Sequence, residues 1–222
     1  MYEVTDLSNF ENYKGHVPVL HAIAAEHQLE DIKISNVLEN GDLISTIIDI
    51  TKKENIDYIV MGTKGATGLA ATFLGSVTEK VINATNTVVL AIPEACTYQP
   101  INRILFTTSY QTEEIEILKR VVALATVLHA QVDCLYVQPK NEIIDVDVLE
   151  DWKMLFPAKI VTFHNIGSND FEGTIIDFIA LHHTDMLAMT THHRNFFERI
   201  FEVSLSKKLI FHAKIPILAV KA

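Results

Sequence analysis

The chain reads as an α/β protein of two tandem units with mostly parallel sheets, the first unit lacking its opening strands. Three observations point there. Short apolar runs of strand length alternate with segments of helical period from residue 17 onward. A gapless internal repeat emerges when the sequence is slid by 128 residues. The unit that opens at Ile101 has no mate in the first half, because the same shift would place it before residue 1. The first copy is therefore expected to lack roughly 30 residues: one strand, one helix and most of a second strand.

The elements follow in order. Residues 1–15 are polar and mixed, and are read as irregular. Residues 17–28 carry Val17, Leu20 and Ala24 at helical spacing, and 32–38 alternate in the manner of a strand. Asn40-Gly41-Asp42 is a turn with Asp42 as N-cap, and Leu43, Ile47, Ile48 and Ile50 mark an amphipathic helix ending near Lys53. A strand at 56–61, a helix at 76–83 and a strand at 87–92, stopped by Pro93, complete the first half. The polar connector 94–100 sets a domain boundary, giving domains 1–96 and 97–222. The second half reads as strand 101–107, helix 112–129, strand 132–137, helix 145–156, strand 159–166, helix 169–181, strand 185–190, helix 203–212 and strand 215–220. On the long helix, Ile115, Leu118, Val122, Ala125 and Val127 are the expected apolar positions.

The repeat carries polar as well as apolar matches. Asp42, Thr46 and Asp49 land on Asp170, Thr174 and Asp177, while Asp57 and Met61 land on Asp185 and Met189. Ser76 lands on Ser204, and Leu90-Ala91 on Leu218-Ala219. Chance agreement of two apolar patterns would not preserve the polar positions without a gap.

Composition excludes several classes of function. Apolar residues make up 49% and charged residues 21% of the 222, a globular balance. A formal charge of −10 argues against nucleic-acid binding, which needs a basic surface. No apolar run is long enough to span a membrane. Residues 1–12 carry Glu3, Asp6 and Glu11 and no apolar core of a signal peptide. Cys96 and Cys134 are too few and too far apart for a disulfide framework, so a cytoplasmic location is expected.

The chemistry concentrates in residues 61–80. Gly62, Gly65, Gly68 and Gly75 place half of the eight glycines within fourteen residues, directly after an apolar strand. Ser76-Val77-Thr78-Glu79 then reads as a capping box opening a helix. Strand, glycine loop and helix N-terminus together offer main-chain N–H groups to a phosphate. The spacing is neither the Walker loop nor the dinucleotide fingerprint. In the second copy the loop is lost: Thr190, His193, Phe196 and Val203 stand at the positions of the four glycines.

The pattern Gly62-x-x-Gly65, nine residues, then Gly75-Ser76, after a strand ending Val60-Met61-Gly62, resembles the nucleotide loop of the universal stress protein family. The resemblance covers both halves. It implies Rossmann-like, adenine-nucleotide α-hydrolase-like units with strand order 3-2-1-4-5, and a regulatory or stress-response module rather than a dedicated enzyme. It implies ATP, with or without Mg2+, as ligand. Gly62 and Gly65 would line ribose and phosphates, and Gly75, Ser76 and the following backbone of Val77 would hold the triphosphate. Thr78 would add a hydroxyl, with Thr63 and Lys64 beside them and Lys64 as counter-charge. A protein partner or a homodimer is also implied. The family places an Asp at the end of its first strand, near the adenine. Here that strand is absent from the first copy, and Ser109 stands at the position in the second. A hydrogen bond to a charged group contributes about 1.5–3 kcal/mol, so its loss would weaken ATP roughly ten- to a hundredfold unless a partner chain completes the pocket. Without strands 1 and 2, strand 3 of the first unit either pairs directly with strand 4 or leaves a gap for another chain, or the native chain begins upstream of Met1.

Other constellations are weaker. His182-His183 and His192-His193 are expected to be surface or capping histidines before metal ligands. Asp145, Asp147, Glu150 and Asp151 read as a solvated helix face, and Phe196, Phe197, Ile200 and Phe201 as core filling. Two rival readings stand beside the nucleotide one: a pseudo-domain acting through protein contacts, and a slow ATP hydrolase, for which no general base lies near the loop.

Overall fold

The computed structural model describes residues 15–29, 31–35, 37–63, 76–139, 146–191 and 214–221. The chain divides into two compact units, Met1–Thr46 and Ile47–Ala222. In the first, helix α1 (Val17–Glu26) opens with proline in its first turn, where a missing N–H costs nothing. None of its residues is buried. The strand expected at 32–38 does not form: the described residues there are irregular, and Ile32, Val37 and Leu38 are exposed. Alternation fixes a strand only when a neighbouring ladder takes its N–H and C=O groups, and none of the described residues does so.

Helix α2 (Leu43–Lys53) is capped as expected, Asp42 Oδ2 accepting from the Ser45 N–H at 3.0 Å. The second unit carries β1 (Tyr58–Gly62), α3 (Ser76–Ala84), β2 (Val88–Ile92), β3 (Arg103–Thr107), α4 (Glu114–Leu128), β4 (Gln131–Gln138), α5 (Val146–Leu155), β5 (Val161–Gly167), α6 (Phe171–His182), β6 (Met186–Thr190) and β7 (Ile217–Val220). The expected helix at 203–212 lies outside the described residues.

All seven strands join one sheet, in the order β1-β2-β7-β6-β3-β4-β5. Every pairing is parallel except β2 with β7, where the two halves meet antiparallel. Counted within the second half, β5-β4-β3-β6-β7 is the expected order 3-2-1-4-5. Contacts recur at the 128-residue offset. Ile59 faces Val89 as Leu187 faces Ile217, and Met61 faces Ala91 as Met189 faces Ala219. The Thr63 N–H donates to Ile92 O and the Thr191 N–H to Val220 O, both at 3.0 Å. Asn55 and His183, at φ 50° and 53°, end their helices alike in the left-handed region.

Most of the core lies in the second half, the first adding Val81, Ile82, Val88, Val89 and Ala91. Ile117, Leu118, Val121 and Ala125 of α4 are buried against Ile104, Phe106, Val132 and Cys134 of the sheet. The buried stripe is turned from the expected one: Leu118 and Ala125 belong to it, but Ile115 and Val122 are half-buried and Val127 is exposed. Burial pushes the Cys134 thiol well above its usual range, which leaves it a small apolar filler. Tyr110, Trp152 and Phe156 line the same face, Tyr110 meeting Trp152 edge-on at 5.1 Å. Among the described residues no helix is long and apolar enough to cross a membrane.

Candidate functional site

In a doubly wound sheet ligands bind beyond the carboxyl ends of the strands, where the winding direction reverses. In the second half that point lies between β3 and β6, which are neighbours. The mate of β6 in the first half is β1, and among the described residues β1 pairs only with β2. The two halves therefore offer different sites.

At the end of β1, Gly62 is exposed, and a β-carbon built there would meet no described atom within 4 Å. Thr63 is buried and its N–H is taken by Ile92 O, so it extends the sheet rather than facing a ligand with its backbone. Helix α3 starts at Ser76, and the N–H groups of its first turn lack intrahelical acceptors. Thr78 is buried, and its Oγ1 donates to Gly62 O at 2.9 Å. That bond spends its proton, so Thr78 fastens the start of α3 to the end of β1. Val77, beside it, is half-buried. The structure thus brings Gly62, Thr63, Val77 and Thr78 together. Lys64, Gly65 and Gly75 lie outside the described residues, as does the Ser76 side chain of the expected capping box.

In the second half the strand ends themselves are packed inward. Thr190, the mate of Gly62, is buried. The loop after β3 folds inward: Tyr110, at φ 57°, is buried and hydrogen-bonds Asn165 through its hydroxyl at 3.0 Å. Burial pushes the phenol well above its ordinary range, with Cys134 and Tyr136 adding to the effect. Glu114 holds this loop. Its Oε2 accepts from Thr108 Oγ1 at 2.7 Å, the Ser109 N–H at 2.9 Å and the Gln111 N–H at 3.1 Å. Ser109, at the family's Asp position, is fixed by its backbone to that carboxylate. The sequence reading missed Glu114; the signal was Gln111-x-x-Glu114, the reach-back half of a capping box.

The remaining candidates are structural where they are described. His183 is the left-handed cap of α6, and His182 stacks on Phe178 at 3.9 Å. Glu150 pairs with Lys153 at 2.9 Å on an exposed face. Among the described residues no three His, Cys, Asp or Glu side chains could share a metal ion. His192, His193 and the phenylalanines at 196, 197 and 201 lie outside the described residues.

Comparisons with known proteins agree with this fold. Universal stress protein MJ0577 of Methanocaldococcus jannaschii is 39% identical over 67 residues, which is 29% of this chain and 41% of the relative, so the match spans less than half of that protein. The crystal structure of a universal stress protein from Archaeoglobus fulgidus matches with a TM-score of 0.66 at 18% identity, covering 95% of this chain and 77% of the other. A further structure, of the universal stress protein from Archaeoglobus fulgidus in complex with dAMP, matches at a TM-score of 0.38 and 14% identity, covering 55% of this chain and all of the other, and carries no residue roles across. The model of the universal stress protein family matches residues 5–93 and 153–221, more than half of the sequence. With its strand order, its parallel sheet and its glycine spacing accounted for in the same terms, the chain belongs to the universal stress protein family.

Proposed function

We propose that the chain is a regulatory module that binds an adenine nucleotide, ATP, at the end of β1, with Gly62, Thr63, Lys64, Gly65, Gly75, Ser76, Val77 and Thr78 forming the site. The observation that carries this reading is the pairing of an open face at Gly62 with the Thr78–Gly62 hydrogen bond, which sets a helix N-terminus against the strand end. The first-turn N–H groups of α3 and the positive end of its dipole suit a phosphate. Lys64 supplies a counter-charge. Thr78 acts as a positioning residue, and Thr63 closes the floor through its bond to Ile92. The bound nucleotide would bring its own magnesium, and the module would report occupancy to a partner.

The site has one wall. No described strand stands beside β1 where β3 stands beside β6, so the base end of the nucleotide lacks the support that a first strand gives. Weak binding is the expected consequence. Calorimetric titration of ATP with magnesium into the chain and into Gly75→Val tests this, valine being what the second copy carries at that position. Saturable heat that disappears in the variant supports the site. No heat and no thermal shift at millimolar ATP would leave the protein-contact reading in its place.

A further inference from the structure

The repeat-related strands β1 and β6 have the same length and the same kind of partner on one side, but opposite surroundings on the other. β6 is buried at every position, with β3 along its free edge and α4 over one face. Met186 and Ala188 on that face are 2% and 0% exposed. Their mates in β1, Tyr58 and Val60, are 43% and 64% exposed. Register assigns them to that same face: Val60 sits beside Leu90, which packs on the core cluster of Ile104, Phe106, Ala188 and Leu218. The helix before each strand shows the same contrast. Ile175 and Phe178 of α6 are each 3% exposed, whereas Ile47 and Ile50 of α2 are only half-buried.

An edge strand usually guards itself with a lysine, a proline, a bulge or an inward charge. The β1 strand, Tyr58-Ile59-Val60-Met61-Gly62, has none of the first two, carries no charge, and pairs with β2 in unbroken register. Among the described residues nothing pairs with its other side, which leaves a short apolar edge of the kind that accepts another strand. The internal repeat states which strand. On β6, Ile104, Leu105 and Phe106 run parallel opposite Met186, Leu187 and Ala188, all three wholly buried, and α4 follows directly to cover the face.

We propose that the free edge of β1 is a docking site for a β-strand followed by an α-helix, donated by a second polypeptide, the strand running parallel to β1 with apolar side chains on both faces and the helix covering Tyr58 and Val60. The register of β3 on β6 places the donated residues opposite Tyr58, Ile59 and Val60. Ile47 and Ile50 of α2 gain cover from the other face. A second copy of this chain fits less well, because its own strand of that type, β3, is already held between β6 and β4. This inference does not rest on the nucleotide reading: it concerns the strand's edge and stands with or without a ligand at the loop.

The test uses the full chain and, as probe, a separate polypeptide of residues 97–130 of the same sequence, which contains β3 and α4. Amide exchange is followed at Tyr58, Val60 and Gly62, whose N–H groups alternate away from β2 because that of Thr63 bonds Ile92 O, alongside sedimentation of the chain alone. The expected result is slow exchange at those three amides only when the probe is present, a change of about tenfold or more. Val60→Asp should remove the effect while leaving the melting curve of the free chain in place. A probe that gives no protection overturns the proposal. So does protection of those three amides in the free monomer, which would mean that the chain covers its own edge. Self-association abolished by Val60→Asp overturns it as well, in favour of a second copy.

Discussion

The two halves carry complementary losses. The first keeps the glycine loop but presents β1 with no described strand at its switch-point edge. The second keeps that strand, β3, but has replaced the four glycines, and the loop after β3 is held by the Glu114 clasp with Tyr110 turned toward β4 and β5. A site of this fold needs both a backbone cradle for phosphate and a wall for the base, and neither half has the two together. The difference teaches that the repeat divided its labour. One copy supplies most of the packed core, the other the glycine-bearing sequence after a marginally covered strand. The antiparallel join of β2 and β7 lets the first lean on the second, because Val89 and Ala91 are buried there although β1 beyond them is not.

The sharpest way to break this comparison is to place the same charge on the two mates Val60 and Ala188. An unpaired carboxylate at Ala188, wholly enclosed, should cost about 4 kcal/mol or more, enough to consume much of a domain's stability. The same change at Val60 should stay within about 0.5 kcal/mol, since the side chain already meets solvent. Urea unfolding of Ala188→Asp and Val60→Asp measures both. Equal losses would mean that β1 is as enclosed as β6 in solution, and the contrast between the halves would fall.

A second test concerns the loop after β3. Glu114 is buried and accepts from one hydroxyl and two backbone N–H groups. Glu114→Ala strands those donors and should cost about 3 kcal/mol. Its distinguishing readout is local: exchange at the Ser109 and Gln111 amides should accelerate beyond what the fall in global stability explains. If those amides exchange only with global unfolding, the loop is held by Tyr110 and its Asn165 bond instead.

Much of this was legible in the sequence, and the misses have physical causes. The strands of the second half followed from alternation, length and the repeat, because buried parallel strands declare themselves as apolar runs, and their order followed from the family resemblance. Residues 32–38 carry the period of a strand and are not one, since period says which face is apolar but not whether a partner exists to accept the hydrogen bonds. Thr78 was read as a ligand hydroxyl and is bonded to Gly62 O, because a threonine in a first helical turn can face either the phosphate or the neighbouring strand. Glu114 binds two backbone N–H groups and the Thr108 hydroxyl, and only the Gln111-x-x-Glu114 spacing hints at it, because the course of the loop depends on the left-handed Tyr110. The stripe of α4 is turned by one position, with Glu114 and Val121 buried where Ile115 and Val122 are expected, and Val127 lies on the solvent side.

The smallest expected effect is the most discriminating. Asp42 and Asp170 are mates that cap α2 and α6 in the same way. Asp42 accepts from the Ser45 N–H at 3.0 Å and Asp170 from the Gly173 N–H at 2.9 Å. Their main-chain carbonyls open the two helices alike, accepting from Thr46 at 2.9 Å and Thr174 at 3.1 Å. Truncating either to alanine removes one cap, worth about 1 kcal/mol to its helix. The consequences should differ. Helix α6 buries Ile175 and Phe178, so a loss at its start is felt by the whole cooperative unit, and Asp170→Ala should lower global stability by the full amount. Helix α2 buries only Thr51, so Asp42→Ala should fray the first turn locally, quicken exchange at residues 44–46 and shift the urea midpoint by less than half as much. Identical hydrogen bonds would then give unequal stabilities, because a cap stabilises a protein only through the packing that its helix takes part in. Equal midpoint shifts would show that α2 is as firmly integrated as α6, and with it the first half as a whole.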